Sequence, residues 1–341
     1  MDFDPNAISK SDTLFGLPHS REEAKLVILP VPWDVTTSYK TGAAKGPEAI
    51  RKASLQVDLY HQHVQRPWEP GIYMLVNPGF IESMNLDFRP VAEMVMNGTR
   101  AGFRETVNAA CLEVNKYVYD RSVSLMREGK IVGILGGDHS VPFGAYQAAA
   151  EIFGGFGILH FDAHADLREA FEGLTYSHAS IMHNAWSKIP QVHFLVQVGI
   201  RDTCEAEMEF VRKSQLEGRG GFVHQFTDDL LHDHRFDWGG HEAAGWHLPP
   251  KVWISFDIDA LDPSLCPNTG TPVPGGLSIH MARDIIRAVS QRATIIGFDL
   301  VEVAPDPEGR NDWDANVGAR VLYDLCAYTL ASQKLCKMEG R

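Results

Sequence analysis

Three short segments of this 341-residue chain concentrate side chains that bind hard cations. They are Gly136-Gly137-Asp138-His139-Ser140, Phe161-Asp162-Ala163-His164-Ala165-Asp166 and Ser255-Phe256-Asp257-Ile258-Asp259-Ala260-Leu261-Asp262-Pro263. His139, Asp162, His164, Asp166, Asp257 and Asp259 offer only imidazole nitrogen and carboxylate oxygen. Such donors suit Mn²⁺, Ni²⁺, Co²⁺ or Fe²⁺ better than thiolate-seeking ions. Each piece is weak alone: a lone D-x-H after a strand is more often a hydrogen-bonded pair, and a single histidine more often a satisfied polar residue. Together they are hard to bury without cations, because unpaired carboxylates repel one another and lose hydration. Four aspartates bring four negative charges, which two divalent ions would balance.

The elements that must position these donors are legible as apolar runs. These are Leu26–Val31, Ile131–Leu135, Gly157–Phe161, Val192–Val198, Val252–Phe256 and Thr294–Phe298. Helical patterns separate them, one from about Val91 to Arg127 and one at the end with Val317, Val321, Leu325 and Tyr328 on a single face. Near-continuous apolar strands between helices predict an α/β fold, a parallel sheet covered on both faces. Each donor segment directly follows a strand, and ligands in such sheets bind beyond the strands' carboxyl ends. Alternate residues of extended chain share a side, so Asp162, His164 and Asp166 should face one place, with Asp257 and Asp259 facing it too. Gly136 and Gly137 should let backbone pass close to an ion. The span Gly218 to Pro250 carries His224, His232, His234, His241 and His247 without regular spacing and reads as a loop with scattered surface histidines. Nothing divides the chain, so 1–341 is expected to form one domain.

Composition removes other classes. No stretch approaches the roughly 18 apolar residues of a membrane helix, and the N-terminus lacks a signal peptide's basic and apolar regions, so the cytoplasm is expected. The five cysteines are scattered and form no C-x-x-C pair, which argues against a thiolate zinc site or a disulfide framework. A net charge of −13 disfavours nucleic acid and anionic membranes as partners and favours small cations.

The three motifs resemble those of the ureohydrolases, a family that includes arginase, agmatinase, guanidinobutyrase and guanidine hydrolase. The resemblance extends to Gly42…Lys45-Gly46-Pro47-Glu48-Ala49-Ile50-Arg51 and Gly270-Thr271-Pro272…Gly275-Gly276, and so covers nearly the whole chain. It implies a single three-layer arginase-like domain on an eight-stranded, mostly parallel sheet, assembled as a homo-oligomeric trimer or hexamer. Residues 1–24 would be an extension touching the active-site mouth or a neighbouring subunit. It further implies that His139, Asp162, Asp166 and Asp257 hold one ion, and that Asp162, His164, Asp257 and Asp259 hold the other. Asp166 would also accept a hydrogen bond from the attacking water, His178 would shuttle the proton, and Glu302 would pair with a small cationic guanidinium substrate.

A guanidinium is resonance-stabilised and resists neutral water, and divalent ions lower the pKa of water from 15.7 towards about 7. A mononuclear zinc deacetylase of the same fold would need fewer donors, a dead binding module would have lost some, and a phosphodiesterase would need an Arg/Lys phosphate clamp near the motifs. Arginases read the substrate's α-amino group through an acid just after a G-[IL]-R-D turn; here Cys204 follows Gly199-Ile200-Arg201-Asp202-Thr203, which disfavours arginine. The aromatic loop with Phe171 and Tyr176, and the segment Val31 to Tyr39, are similar to guanidine hydrolases. Trp33, Thr36 and Trp313 are candidate pocket residues that would exclude an alkyl tail. Free guanidine is therefore the first expected substrate, with Ni²⁺; agmatine or 4-guanidinobutyrate, with Mn²⁺, is the alternative.

Overall fold

Leu26 and Ile28 of the first strand point into one apolar layer while Val27 and Leu29 point into another, so the strand is buried on both faces. The same alternation repeats across the sheet of this computed structural model, which describes residues 3–7, 11–215, 221–233 and 249–339. The strands are β1 (Leu26–Val31), β2 (Ile72–Met74), β3 (Ile131–Gly136), β4 (Phe156–Phe161), β5 (Val192–Ile200), β6 (Phe222–Thr227), β7 (Lys251–Asp257) and β8 (Thr294–Val301). They form one eight-stranded sheet in the order β2-β1-β3-β8-β7-β4-β5-β6, parallel at every pairing.

Helices cover both faces. α1 (Gly46–Ala53), α7 (Asp228–Leu231), α8 (Ile279–Ser290) and α9 (Trp313–Ser332) contribute to one apolar layer. The other receives α2 (Gly79–Met96), α3 (Arg104–Arg127), α4 (Phe143–Phe153), α5 (Ile181–Lys188) and α6 (Glu205–Ser214). The three-layer, single-domain architecture is as expected, and the sheet is wholly rather than mostly parallel. Val317, Val321, Leu325 and Tyr328 are all buried on α9.

Two expectations need correction. The single helix from about Val91 to Arg127 is instead α2 and α3, parted at Asn97-Gly98, where Gly98 takes a left-handed φ of 75° that ends a helix. The span read as loop between Gly218 and Pro250 contains β6 and α7. β2 and β6 escaped notice because they are edge strands: β2 has only three residues, and β6 interrupts its apolar pattern with His224 and Gln225. His234, His241 and His247 lie outside the described residues.

The N-terminal segment, where described, packs on its own chain. Phe15 lies 4.9 Å from Tyr323 between ring centroids, and its N–H donates to Ser54 Oγ at 2.8 Å. Among the described residues, no helix is long and apolar enough to cross a membrane. The central strands β3, β8, β7 and β4 are neighbours and all run in one direction, so the segments that follow them meet at one edge of the sheet.

Candidate active site

His139 lies three residues beyond β3, buried at 1% exposure. Its Nδ1 is 3.0 Å from Asp162 Oδ2, 3.2 Å from Asp166 Oδ2 and 3.3 Å from Asp257 Oδ2. A second group forms beside it: His164 Nδ1 is 3.3 Å from Asp162 Oδ1 and 3.1 Å from Asp259 Oδ2. Asp162 thus gives one oxygen to each group. The structure brings all six candidate ligands together, with a carboxylate at the centre that two ions could share.

The local route to this arrangement is not the extended chain anticipated from alternate spacing. Asp166 adopts a left-handed φ of 53°, rare for a residue with a Cβ, and its carbonyl accepts from Met182 and His183 N–H at the start of α5. Asp259 sits in a 3₁₀ turn, Ile258–Ala260, whose first N-H groups are capped by Asp257: Oδ1 accepts from Asp259 N–H at 2.8 Å. Ala163, Ala165 and Ile258 do face packed protein. Gly137 is required for a different reason from the one expected: a Cβ there would lie 2.0 Å from the Trp33 carbonyl oxygen, so the glycine admits crossing backbone rather than an ion.

Support lies one layer deeper. His139 Nε2 is 2.8 Å from Ser255 Oγ, and Ser255 donates to Asp299 Oδ1 at 2.8 Å. Tyr146 and Trp253 also donate to Asp299, at 3.0 and 2.6 Å. Ser255 therefore accepts from His139 Nε2–H, which leaves Nδ1 directed at the carboxylates. Sequence reading missed His160 and Ser255, polar residues inside apolar runs, and Asp299, which directly follows one.

The electrostatics ask for cations. Burial and the neighbouring Asp162 charge push Asp166 up to about 7. Burial and adjacent carboxylates likewise raise Asp257 and Glu302 well above their ordinary values. Asp162 is held well below its usual range: burial opposes this, but His160, His139 and His164 outweigh it. Burial also opposes a charged His164, yet Asp259 and Asp162 push it up to about 12. In the metal-free protein, protons do the work that divalent ions would do, so the donor set fits such ions and their binding must displace protons. Below pH 7 Asp166 is protonated, and His164 carries its proton across the whole neutral range. Divalent-ion affinity is therefore expected to rise by at least about tenfold between pH 6 and pH 7, because more than one proton is displaced. Calorimetric titration at the two pH values checks this, and an unchanged affinity would contradict it.

Glu302 follows β8 with a left-handed φ of 61°, at 3% exposure. Its Oε1 accepts from His139 N–H at 3.0 Å, while Oε2 has no hydrogen-bond partner among the described residues. A Cβ at Gly270 would stand 3.2 Å from Oε2, so any larger residue there would press on this oxygen. A buried carboxylate oxygen without a partner can accept hydrogen bonds from a cationic group.

His178 begins a 3₁₀ turn, its N–H donating to Thr36 Oγ1 at 3.0 Å. Burial, with the His164 charge, lowers it to about 3, so it is a neutral imidazole at physiological pH rather than one titrating near 7. Phe171 stands edge-on to it, 5.9 Å between centroids, with Arg168 over the Phe171 ring. Tyr176 does not join them but packs on Phe143 beneath Lys188. Of the candidate pocket residues, Thr36 is tied to His178 by that N–H bond. Trp33 is buried in the second apolar layer, and Thr36 donates through both N–H and Oγ1 to Asp138 Oδ2, while Trp313 is half exposed with Nε1 on the Ser264 carbonyl. Cys204 caps the N-terminus of α6, with its N–H on Glu207 Oε2.

The model of the arginase family matches residues 24–327. The chain belongs to the arginase family. It is accordingly a hydrolase of carbon–nitrogen bonds in linear amidines. It is 35% identical to the N(1)-aminopropylagmatine ureohydrolase of Thermus thermophilus over 286 residues, 84% of each chain. It is 32% identical to the agmatinase of Neisseria meningitidis over 303 residues, 89% of this chain and 86% of that one. The solved agmatine ureohydrolase of Thermoplasma volcanium shares the fold, with a TM-score of 0.70, 24% identity, and coverage of 96% and 97%. All three donor motifs and Glu302 fall inside the matched span of this arginase-family chain.

Proposed function

We propose that the protein hydrolyses the guanidinium group of a small amine-tailed guanidine, of the agmatine class, to urea and the corresponding amine. The observation that carries an amidinohydrolase is Glu302 Oε2, buried and without a hydrogen-bond partner among the described residues, on the side chain whose Oε1 binds the ligand His139 through its N–H. The amine tail is supported by the names of the relatives at 35% and 32% identity. Two divalent ions, Mn²⁺ on this reading, would offset the aspartates' charge and lower the pKa of water.

The chain's own residues then have definite tasks. Glu302 Oε2 accepts N–H bonds from the guanidinium and orients its carbon over the aspartates. Asp166 accepts a hydrogen bond from the attacking water. Neutral His178 takes up a proton from that water and delivers it to the departing nitrogen as the C–N bond breaks, which leaves urea and a protonated amine.

Free guanidine, with Ni²⁺, is the second reading, favoured by the Phe171 ring beside His178, which narrows the approach. Urea release from agmatine, N(1)-aminopropylagmatine, 4-guanidinobutyrate, arginine and guanidine, after separate Mn²⁺ and Ni²⁺ loading, tests both. The amine-tailed substrates are expected to exceed guanidine in kcat/KM by at least about tenfold, or about 1.4 kcal/mol, because remote binding energy assists the reacting centre. A higher kcat/KM for guanidine with either ion would install the second reading, and no urea from any substrate would remove both.

A further inference from the structure

Five polar residues occupy matching positions on five neighbouring strands. Asp299 of β8 pairs with Ser255 of β7, Ser255 with His160 of β4, His160 with Gln197 of β5, and Gln197 with Gln225 of β6. Register partners share a face of the sheet, so these side chains form a continuous row. His160 and Ser255 each stand two residues before a candidate ligand, Asp162 and Asp257, which sets the row directly beneath the cluster. Asp299, Ser255, His160 and Gln197 are fully buried.

The outer half of this row admits one arrangement of protons. Gln225 Nε2 donates to Gln197 Oε1 at 2.8 Å, which identifies the oxygen of that amide. Gln197 Nε2 places one hydrogen on the Ala165 carbonyl at 2.6 Å and the other on His160 Nδ1 at 2.9 Å. Nδ1 therefore accepts, and the ring hydrogen is on Nε2, which donates to Asp162 Oδ2 at 2.8 Å. Both ring nitrogens are occupied, so no lone pair is left for an ion, although His160 lies within 4.8 Å of donor atoms of His139, Asp162 and Asp166.

We propose that His160 is a positioning residue rather than a ligand: locked by the Gln225–Gln197 amide pair, it donates to Asp162 Oδ2 and fixes the carboxylate that two ions would share. Partners behind a ligating carboxylate restrict its orientation and so raise metal affinity. The inference rests on the two-ion reading of the site.

Mn²⁺ titration of the metal-free full chain separates the two. The parent should bind two ions. In His160→Asn, whose shorter amide cannot reach Asp162, affinity should fall by roughly 10–100-fold. His160→Gln, whose amide nitrogen can stand where Nε2 stands, should keep most of the affinity. Gln197→Met, which removes the lock and spares the ring, should weaken binding several-fold and serves if His160→Asn does not fold. Pulsed EPR of the Mn²⁺-loaded parent and His160→Gln should show the same imidazole nitrogen couplings. Equal affinity throughout, equal losses in the Asn and Gln variants, or a nitrogen coupling lost in His160→Gln would each overturn the proposal while leaving two bound ions in the parent. A parent that binds fewer than two ions would instead remove the two-ion reading, and the inference with it.

Discussion

Asp257→Asn is expected to leave a protein that binds divalent ions poorly and releases urea at least roughly 10³-fold more slowly, since metal-ion charge stabilisation is worth several kcal/mol. Asp257 Oδ2 approaches His139 Nδ1 at 3.3 Å, and its Oδ1 caps the turn that carries Asp259, so the substitution reaches both ligand groups. The same change should stabilise the metal-free protein. Burial and the Asp259 and Asp162 charges raise the Asp257 pKa well above 3.8. An acid whose folded pKa lies above its unfolded value destabilises the fold once pH passes the unfolded value, and the neutral amide removes that penalty. At pH 7 the metal-free variant should therefore melt above the metal-free parent, and the order should reverse when Mn²⁺ is added. Metal analysis with thermal melts checks both halves, and a variant that kept two tightly bound ions would contradict the placement of Asp257.

Glu302→Gln is expected to separate substrate recognition from metal binding. Glu302 Oε2 has no partner among the described residues, and its backbone is held by Gly137 O and Thr269 Oγ1, so the amide should fit without rearrangement. Losing one partner of a buried, hydrogen-bonded charge pair costs about 2–5 kcal/mol, so kcat/KM should fall by roughly 30- to 4,000-fold. Both ions should remain. The removed carboxylate is itself pushed upward by burial and by Asp257, so the metal-free variant should be no less stable than the parent above pH 5. Steady-state kinetics beside metal analysis decides the point: unchanged kcat/KM would show that the guanidinium is held elsewhere.

The ligand segments were legible along the chain because the physics that places them is local. A buried parallel strand must be apolar for several residues, and the polar residues that end it stand at the edge where ligands collect. His139, Asp162, His164, Asp166, Asp257 and Asp259 each follow such a run closely, so their convergence could be read before any coordinates. The three layers and the buried face of α9 follow from the same patterning.

Tertiary structure alone decided what depends on residues distant in sequence. The row Asp299–Ser255–His160–Gln197–Gln225 exists only through strand register, which brings together positions from four separate crossovers. The left-handed turns at Asp166 and Glu302 carry no residue signature, since they are imposed by the backbone partners around them. The sequence does not say which neighbours Trp33 and Thr36 meet: the first joins an apolar layer, and the second donates to Asp138 while accepting from His178 N–H. The edge strands β2 and β6 were hidden because strands with one free edge need not be continuously apolar. Local pattern names the donors, and long-range pairing determines which atoms they turn toward the site.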